Sequence, residues 1–256
     1  MWARVIPVLL LDRSRRLVKT VHFGERTYVG DPFNVIRIFN EKEVDEICLL
    51  DIDATADGRE PDLGFVRELA SECFMPLAYG GGVTSLTMSE ALFKSGVEKL
   101  VIGAKTSDYQ FIGAMAHNFG SQAVMASVDV SRNGGGLEVR THNGQRVVSG
   151  DPFDYARRMT DAGAGEILLN DIDRDGVRQG YDLELISHMS SVVNVPVIAL
   201  GGAGEHEHLR QGLIAGASAV ASGSAFVFYG PLRAVLITYP TQQDMANVPL
   251  QPEERP

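Results

Sequence analysis

Glu46-Ile47-Cys48-Leu49-Leu50-Asp51-Ile52-Asp53 returns 120 residues later as Glu166-Ile167-Leu168-Leu169-Asn170-Asp171-Ile172-Asp173. Each copy is a short, mostly apolar run between a glutamate and a pair of aspartates, the pattern of a strand covered on both faces. The same spacing carries Gly30-Asp31-Pro32-Phe33 onto Gly150-Asp151-Pro152-Phe153 and Pro76, Gly81 and Gly82 onto Pro196, Gly201 and Gly202. It also carries Gly96 and Gly103 onto Gly216 and Gly223. A register held across separate segments predicts a chain made of two like halves.

Outward from these runs, strands are predicted at Val5–Leu11, Ile47–Ile52, Met75–Tyr79, Lys99–Gly103, Ala123–Asp129, Glu166–Ile172, Val195–Leu200 and Ala219–Ser222. Helix-length amphipathic segments separate most of them: Pro32–Lys42, Leu63–Cys73, Leu86–Ser95, Tyr109–Asn118, Pro152–Ala162, Asp182–Ser191 and His206–Ala215. Eight such units predict an α/β (β/α)8 TIM barrel over residues 1–239, closed from half-barrels of about 1–120 and 121–239. An open doubly wound sheet is the alternative, but it gives no reason for a twofold repeat. Residues 240–256 carry four prolines and no periodicity, and read as a flexible tail.

The composition is that of an ordinary globular protein, with 45% hydrophobic and 22% charged residues. A net charge of −10 argues against a nucleic-acid surface. Nothing resembles a secretory leader or a membrane span, and Cys48 and Cys73 read as buried free thiols, so a cytoplasmic location is expected. No metal-ligand spacing is present, and no cofactor is expected. His206 and His208 read as helix-surface residues. There is no Gly-x-Ser-x-Gly elbow.

In such barrels chemistry sits at the C-terminal ends of the strands. After the third and fourth strands come Gly80-Gly81-Gly82 and Gly103-Ala104; after the seventh and eighth come Gly201-Gly202-Ala203-Gly204 and Gly223-Ser224. Glycine turns let backbone N–H groups approach an anion, so each half is predicted to bind one phosphate. The alternative is that the glycines only make tight turns. Asp51 and Asp53, Asp171, Asp173 and Asp175, and Asp129 are acids at strand ends, candidates for proton transfer or for holding substrate hydroxyls. The plainer reading is a solvated or arginine-paired carboxylate. Asp129 is the sharpest candidate, because it follows an apolar run without a turn.

These turns and acids resemble the cyclase subunit of imidazole glycerol phosphate synthase, over nearly all of the chain except the tail. The matching stretches include Arg4–Pro7, Leu17-Val18-Lys19, Gly80-Gly81-Gly82, Phe119-Gly120-Ser121-Gln122, Asp173-Arg174-Asp175-Gly176 and Gly201–Gly204. The resemblance implies a (β/α)8 barrel paired with a glutaminase subunit at its N-terminal face. Ammonia from the glutaminase would pass through the barrel to a bisphosphorylated ribulosyl aminoimidazole carboxamide. It implies Asp129 as the second of two catalytic aspartates and Lys19 as the lysine of the substrate loop. It implies Gly81, Gly82, Gly103, Ala104, Gly201, Gly202, Gly223 and Ser224 at the phosphates, with Asp51, Asp173 and Asp175 touching substrate. Arg4, Glu46, Lys99 and Glu166 match the charged ring that gates ammonia at the barrel bottom; a purely structural ion cluster is the alternative.

The chain departs from that pattern where the family's first catalytic aspartate should stand. Counting from Arg4, the position is Leu10, and its neighbours Leu9 and Leu11 are leucine too. A leucine transfers no proton. Asp12 shares the strand parity of Leu10 but lies further along. Gly103 replaces an asparagine. Leu9-Leu10-Leu11 and the segment 226–240 resemble a second-type copy of the subunit associated with bacterial surface polysaccharide. The expected function is therefore a barrel receiving ammonia for sugar amidation in lipopolysaccharide synthesis, with impaired cyclase chemistry. The alternatives are a working cyclase/lyase of histidine biosynthesis, or another bisphosphate sugar isomerase.

Overall fold

A computed structural model describes residues 3–230 and 234–245. Eight parallel strands close into a barrel in the order β1 (Arg4–Leu11), β4 (Ile47–Asp51), β5 (Leu77–Gly80), β6 (Lys99–Ile102), β7 (Val124–Asn133), β10 (Glu166–Asp171), β11 (Val197–Leu200) and β12 (Ala219–Ser222), with β12 returning to β1. The helices that alternate with them pack outside: α1 (Pro32–Glu41), α2 (Leu63–Glu72), α3 (Leu86–Lys94), α4 (Tyr109–Phe119), α5 (Pro152–Ala162), α6 (Leu183–Val192) and α7 (His206–Ile214). The fold is a (β/α)8 barrel, and apart from the far end of β7 the predicted strands and helices lie within two residues of those observed. β1, α1, β5 and β6 start at residues 4, 32, 77 and 99, and β7, α5, β11 and β12 at 124, 152, 197 and 219.

Side-chain alternation divides the apolar residues into two cores. Val5, Leu9 and Leu11 of β1 point outward to the helices, whereas Ile6, Val8 and Leu10 point inward. Inside, Ile6, Val8, Cys48, Ala78, Val101, Met125, Leu168, Ile198, Ala219 and Ala221 make an apolar barrel lumen. Helix starts are fixed by side chains: Asp31 caps α1 and Asp151 caps α5, each before a proline in the first turn, and Asp62 and Asp182 cap α2 and α6.

Three features depart from the predicted plan. The β1–α1 connection is a hairpin of β2 (Leu17–Thr20) and β3 (Arg26–Gly30), and the β7–α5 connection is a hairpin of β8 (Gly136–Thr141) and β9 (Arg146–Ser149). β7 runs on four residues past Asp129, because its outer half pairs with β8. After β12 the chain makes a small hairpin, β13 (Phe228–Tyr229) and β14 (Ala234–Val235), and then the short α8 (Gln242–Met245). The predicted tail therefore begins with a helical turn, held where Thr241 and Asp244 exchange hydrogen bonds and where Met245 is buried. Residues 231–233 and 246–256 lie outside the described residues.

Candidate functional site

The mouth of the barrel holds a cavity whose wall includes Leu10, Lys19, Asp51, Asp129, Asn170 and Asp175. Asp129 stands on the inner face of β7, half-buried, between Ser127 and Asn170. Ser127 Oγ donates to Asp129 Oδ1 at 3.1 Å and Asn170 Nδ2 donates to the same oxygen at 3.5 Å. Burial pushes its carboxyl up to about 6, with nearby Asp175 adding to the rise and the two hydrogen bonds opposing it. A group poised there can give or take a proton near neutral pH.

Lys19 is carried by β2 and folds into the mouth, buried. Its ammonium donates to the Val8 carbonyl and lies against Gly223, where an added Cβ would meet Nζ at 2.5 Å. Burial lowers its pKa to about 8, against the pull of Asp175. Asp175 accepts from Thr20 Oγ1 at 2.8 Å, and burial raises its carboxyl. Asp51 accepts from the backbone N–H groups of Asp53 and Ala54 and from Arg59, and burial raises it too.

The inner face of β1 presents Leu10 to this cavity, in register with Leu50. Strand parity removes the ambiguity between Leu9, Leu10 and Leu11, since the other two face the helices. Asp12 does not replace the missing acid. Its carboxylate accepts from the Ser14 and Arg16 N–H groups and from the Arg16 guanidinium, closing the β1–β2 turn. Burial alone would raise Asp12, but these bonds hold it below the ordinary range.

Of the predicted phosphate turns, Gly81, Gly82, Gly103, Ala104, Gly223 and Ser224 line the cavity. Gly201 and Gly202 do not: they pack on the Asp171 and Gly180 carbonyls, and the Gly202 carbonyl accepts from Gly180 N–H at 2.9 Å. Gly81 has φ 112° and a Cβ there would meet the Asp51 carbonyl oxygen at 2.3 Å, so only glycine fits that turn. Asp173 also stands off the cavity, because its carboxylate accepts the Arg132 N–H at 2.7 Å on the β7 extension. His208 is not a surface residue of α7; it is half-buried, and its Nδ1 accepts from Gly204 N–H at 3.2 Å. His206 pairs at 3.7 Å with Asp244.

The two hairpins roof the mouth, and sequence reading missed them. Thr20, Phe23 and Arg26 come from the first, and His142 and Asn143 from the second. They meet where Phe23 lies beside Gly144. Arg26 grips Asp53 through two bonds of 2.7 and 2.6 Å, which holds that carboxyl below its usual range. Asn143-Gly144, an Asn-Gly pair flanked by β-prone residues, was the readable signal for the second hairpin.

At the opposite end of the lumen, Arg4, Glu46, Lys99 and Glu166 form a closed ring. Arg4 reaches Glu46 at 2.6 Å and Glu166 at 2.7 Å; Lys99 reaches the same two carboxylates at 2.9 and 3.1 Å. Each acid is shared by both cations, and Glu46 is almost wholly buried. Among the described residues no helix is long and apolar enough to cross a membrane.

The model of the family described as "Histidine biosynthesis protein" matches residues 4–232. The chain is 51% identical over 243 residues to a protein of Pseudomonas aeruginosa provisionally named imidazole glycerol phosphate synthase subunit hisF2, covering 93% of this chain and 95% of that one. It is 43% identical to a provisionally named subunit HisF of Leptospira borgpetersenii, over 94% of this chain and 96% of the other. It is also 43% identical to a provisionally named subunit hisF3 of Vibrio vulnificus, over 94% of each. A matched span running from the basal ring through both hairpins, with relatives aligned nearly end to end, places the chain in the histidine biosynthesis protein family, among the HisF-like cyclase subunits of imidazole glycerol phosphate synthase.

Proposed function

We propose that this HisF-like barrel receives ammonia from a glutaminase partner docked at its N-terminal face, has impaired cyclase chemistry, and supplies ammonia for sugar amidation in surface polysaccharide synthesis. The observation that carries this reading is Leu10: the inner-face position at the end of β1 is apolar, so Asp129 faces no acid from that strand. The basal ring and the lumen above it support the ammonia route. Neutral ammonia crosses an apolar lumen at little cost, whereas ammonium would have to shed its hydration there. The ring would then act as the entry that opens when the partner binds.

The decisive assay supplies ammonium and the bisphosphorylated ribulosyl aminoimidazole carboxamide to the purified chain and follows imidazole glycerol phosphate. The expected result is a background rate that rises in Leu10→Asp. Turnover equal to that of an ordinary cyclase would overturn the impaired-chemistry reading. It would support the second reading, a working cyclase of histidine synthesis, which is favoured by the poised Asp129 and by Lys19 folded over the Gly223 turn. A sugar isomerase on the same barrel needs two opposed acid–base groups, and Leu10 counts against it equally.

A further inference from the structure

We infer that the first-half phosphate turn takes a phosphoryl group in mid-chain, as in a diphosphate ester, whereas the second-half turn takes only a terminal one. This rests on the reading of the Gly82 and Ala104 turns as an anion site.

Outside the mouth lies a groove of about 810 Å³, large enough for a small organic ligand. It is continuous with the mouth cavity, because Thr55, Gly82, Thr84, Ala104 and His142 line both. An anion seated on the Gly82 and Ala104 turns therefore has an open path outward. The groove carries Arg59, Lys105 and Arg146 against Glu60 and Asp108, a positive excess on a chain of net charge −10. Arg59 is engaged with Asp51 and Asp57, and Lys105 stands 3.8 Å from Asp108. Arg146 is exposed and has no ion-pair partner among the described residues. Its counterpart 120 residues earlier, Arg26, is held by Asp53. Arg146 is thus the cation left to meet an incoming anion.

The second half shows what closure looks like. The residue matching Gly58 there is Arg178. The two share a left-handed backbone, φ 62° at Gly58 and 66° at Arg178. Arg178 extends across the outer side of its turn, donating to the carbonyls of Gly204 and Phe228 at 3.3 Å and of Gly230 at 3.5 Å. Around Gly58 a Cβ would meet nothing within 4 Å. Lys105 in turn is matched by Ala225, buried in a turn whose N–H donates to Ser222 Oγ. One backbone conformation thus carries a strut in one half and nothing in the other. Position 58, on the wall of the groove, carries no side chain to cross it.

Calorimetric titration of the full chain with inorganic phosphate and with ADP-ribose, a diphosphate bearing organic groups on both sides, tests this. ADP-ribose is expected to bind at least about tenfold more tightly than phosphate, as charge-assisted contacts to a second phosphoryl group require. Gly58→Arg should remove that excess and leave phosphate affinity within about twofold, since a strut placed as Arg178 is in the other half blocks the groove and spares the turn. Arg146→Ala, on an exposed hairpin that tolerates substitution, should weaken ADP-ribose alone and keeps the test open if Gly58→Arg does not fold. Phosphate binding with no added affinity for ADP-ribose overturns the proposal and leaves the anion-site reading standing. Equal ADP-ribose binding by parent and both variants also overturns it. Binding of neither probe overturns both.

Discussion

Asp129 and Lys19 are held in the same cavity with pKa values displaced toward each other, and the displacements have opposite consequences for stability. Asp129 is raised from 3.8 to about 6, so between those values the folded chain keeps a proton that the unfolded chain releases. Its contribution to stability is complete below about pH 4 and is lost as pH rises through about 6. Asp129→Asn should therefore flatten the decline in stability across that window and raise the melting temperature at pH 8 relative to the parent. A melting series from pH 4 to 8 checks this, and an unchanged slope would assign the titration to another group. Lys19, lowered from 10.5 to about 8, gives up its proton earlier in the folded chain. Stability should gain as pH rises from about 8 toward 10.5, and Lys19→Met should abolish that gain. The strand-end acid Asp129 was legible because it follows Ala123–Val128 without a turn. The burial that displaces it was not, since the mouth that encloses the carboxyl is lined by residues distant in sequence, and it acts against the hydrogen bonds from Ser127 and Asn170.

Helices α1 and α5, whose first residues lie 120 positions apart, are both capped by aspartate. Asp31 accepts one first-turn N–H, from Asn34 at 3.0 Å, and Asp151 accepts two on one oxygen, from Phe153 at 2.9 Å and Asp154 at 3.0 Å. Asp31→Ala and Asp151→Ala should each cost about 1 kcal/mol in urea unfolding, equal to within a few tenths. A large inequality would mean that one cap carries tertiary contacts that the other lacks. Gly81→Ala should cost more than either, because its Cβ would strike the Asp51 carbonyl on β4 and the residue holds φ 112°. The helices and barrel strands were readable from periodicity because each buries a face of fixed period. The two roofing hairpins are short, half-exposed and polar on one side, so periodicity alone left them as connections. After β12 the apolar run Phe226–Phe228 packs into the outer core as a turn and the start of a two-residue strand.

At the scale of the molecule, an apolar lumen joins the basal ring to the mouth. Breaking the ring at Lys99 leaves Glu46 and Glu166 sharing Arg4 alone. Lys99→Ala should destabilise the chain by about 3 kcal/mol, the low end for a broken buried pair, because Arg4 remains. On the proposed reading it should also disturb glutamine-dependent amidation more than ammonium-dependent amidation in the complex with the glutaminase. Equal effects on the two rates would make the ring purely structural. Sequence alone determined the barrel, the order of its elements, the strand-end acids and the absence of an acid at the end of β1. All of these follow from periodicity and spacing along one chain. Only the tertiary structure decided which leucine faces the cavity, that Asp12 is spent on its own turn, that the Asp173 carboxylate turns to the Arg132 N–H, and that Arg178 struts one turn where Gly58 leaves the other bare. Those outcomes depend on strand parity at closure and on side chains distant in sequence, such as Arg178 and Gly204 or Lys19 and Gly223, competing for the same few ångströms.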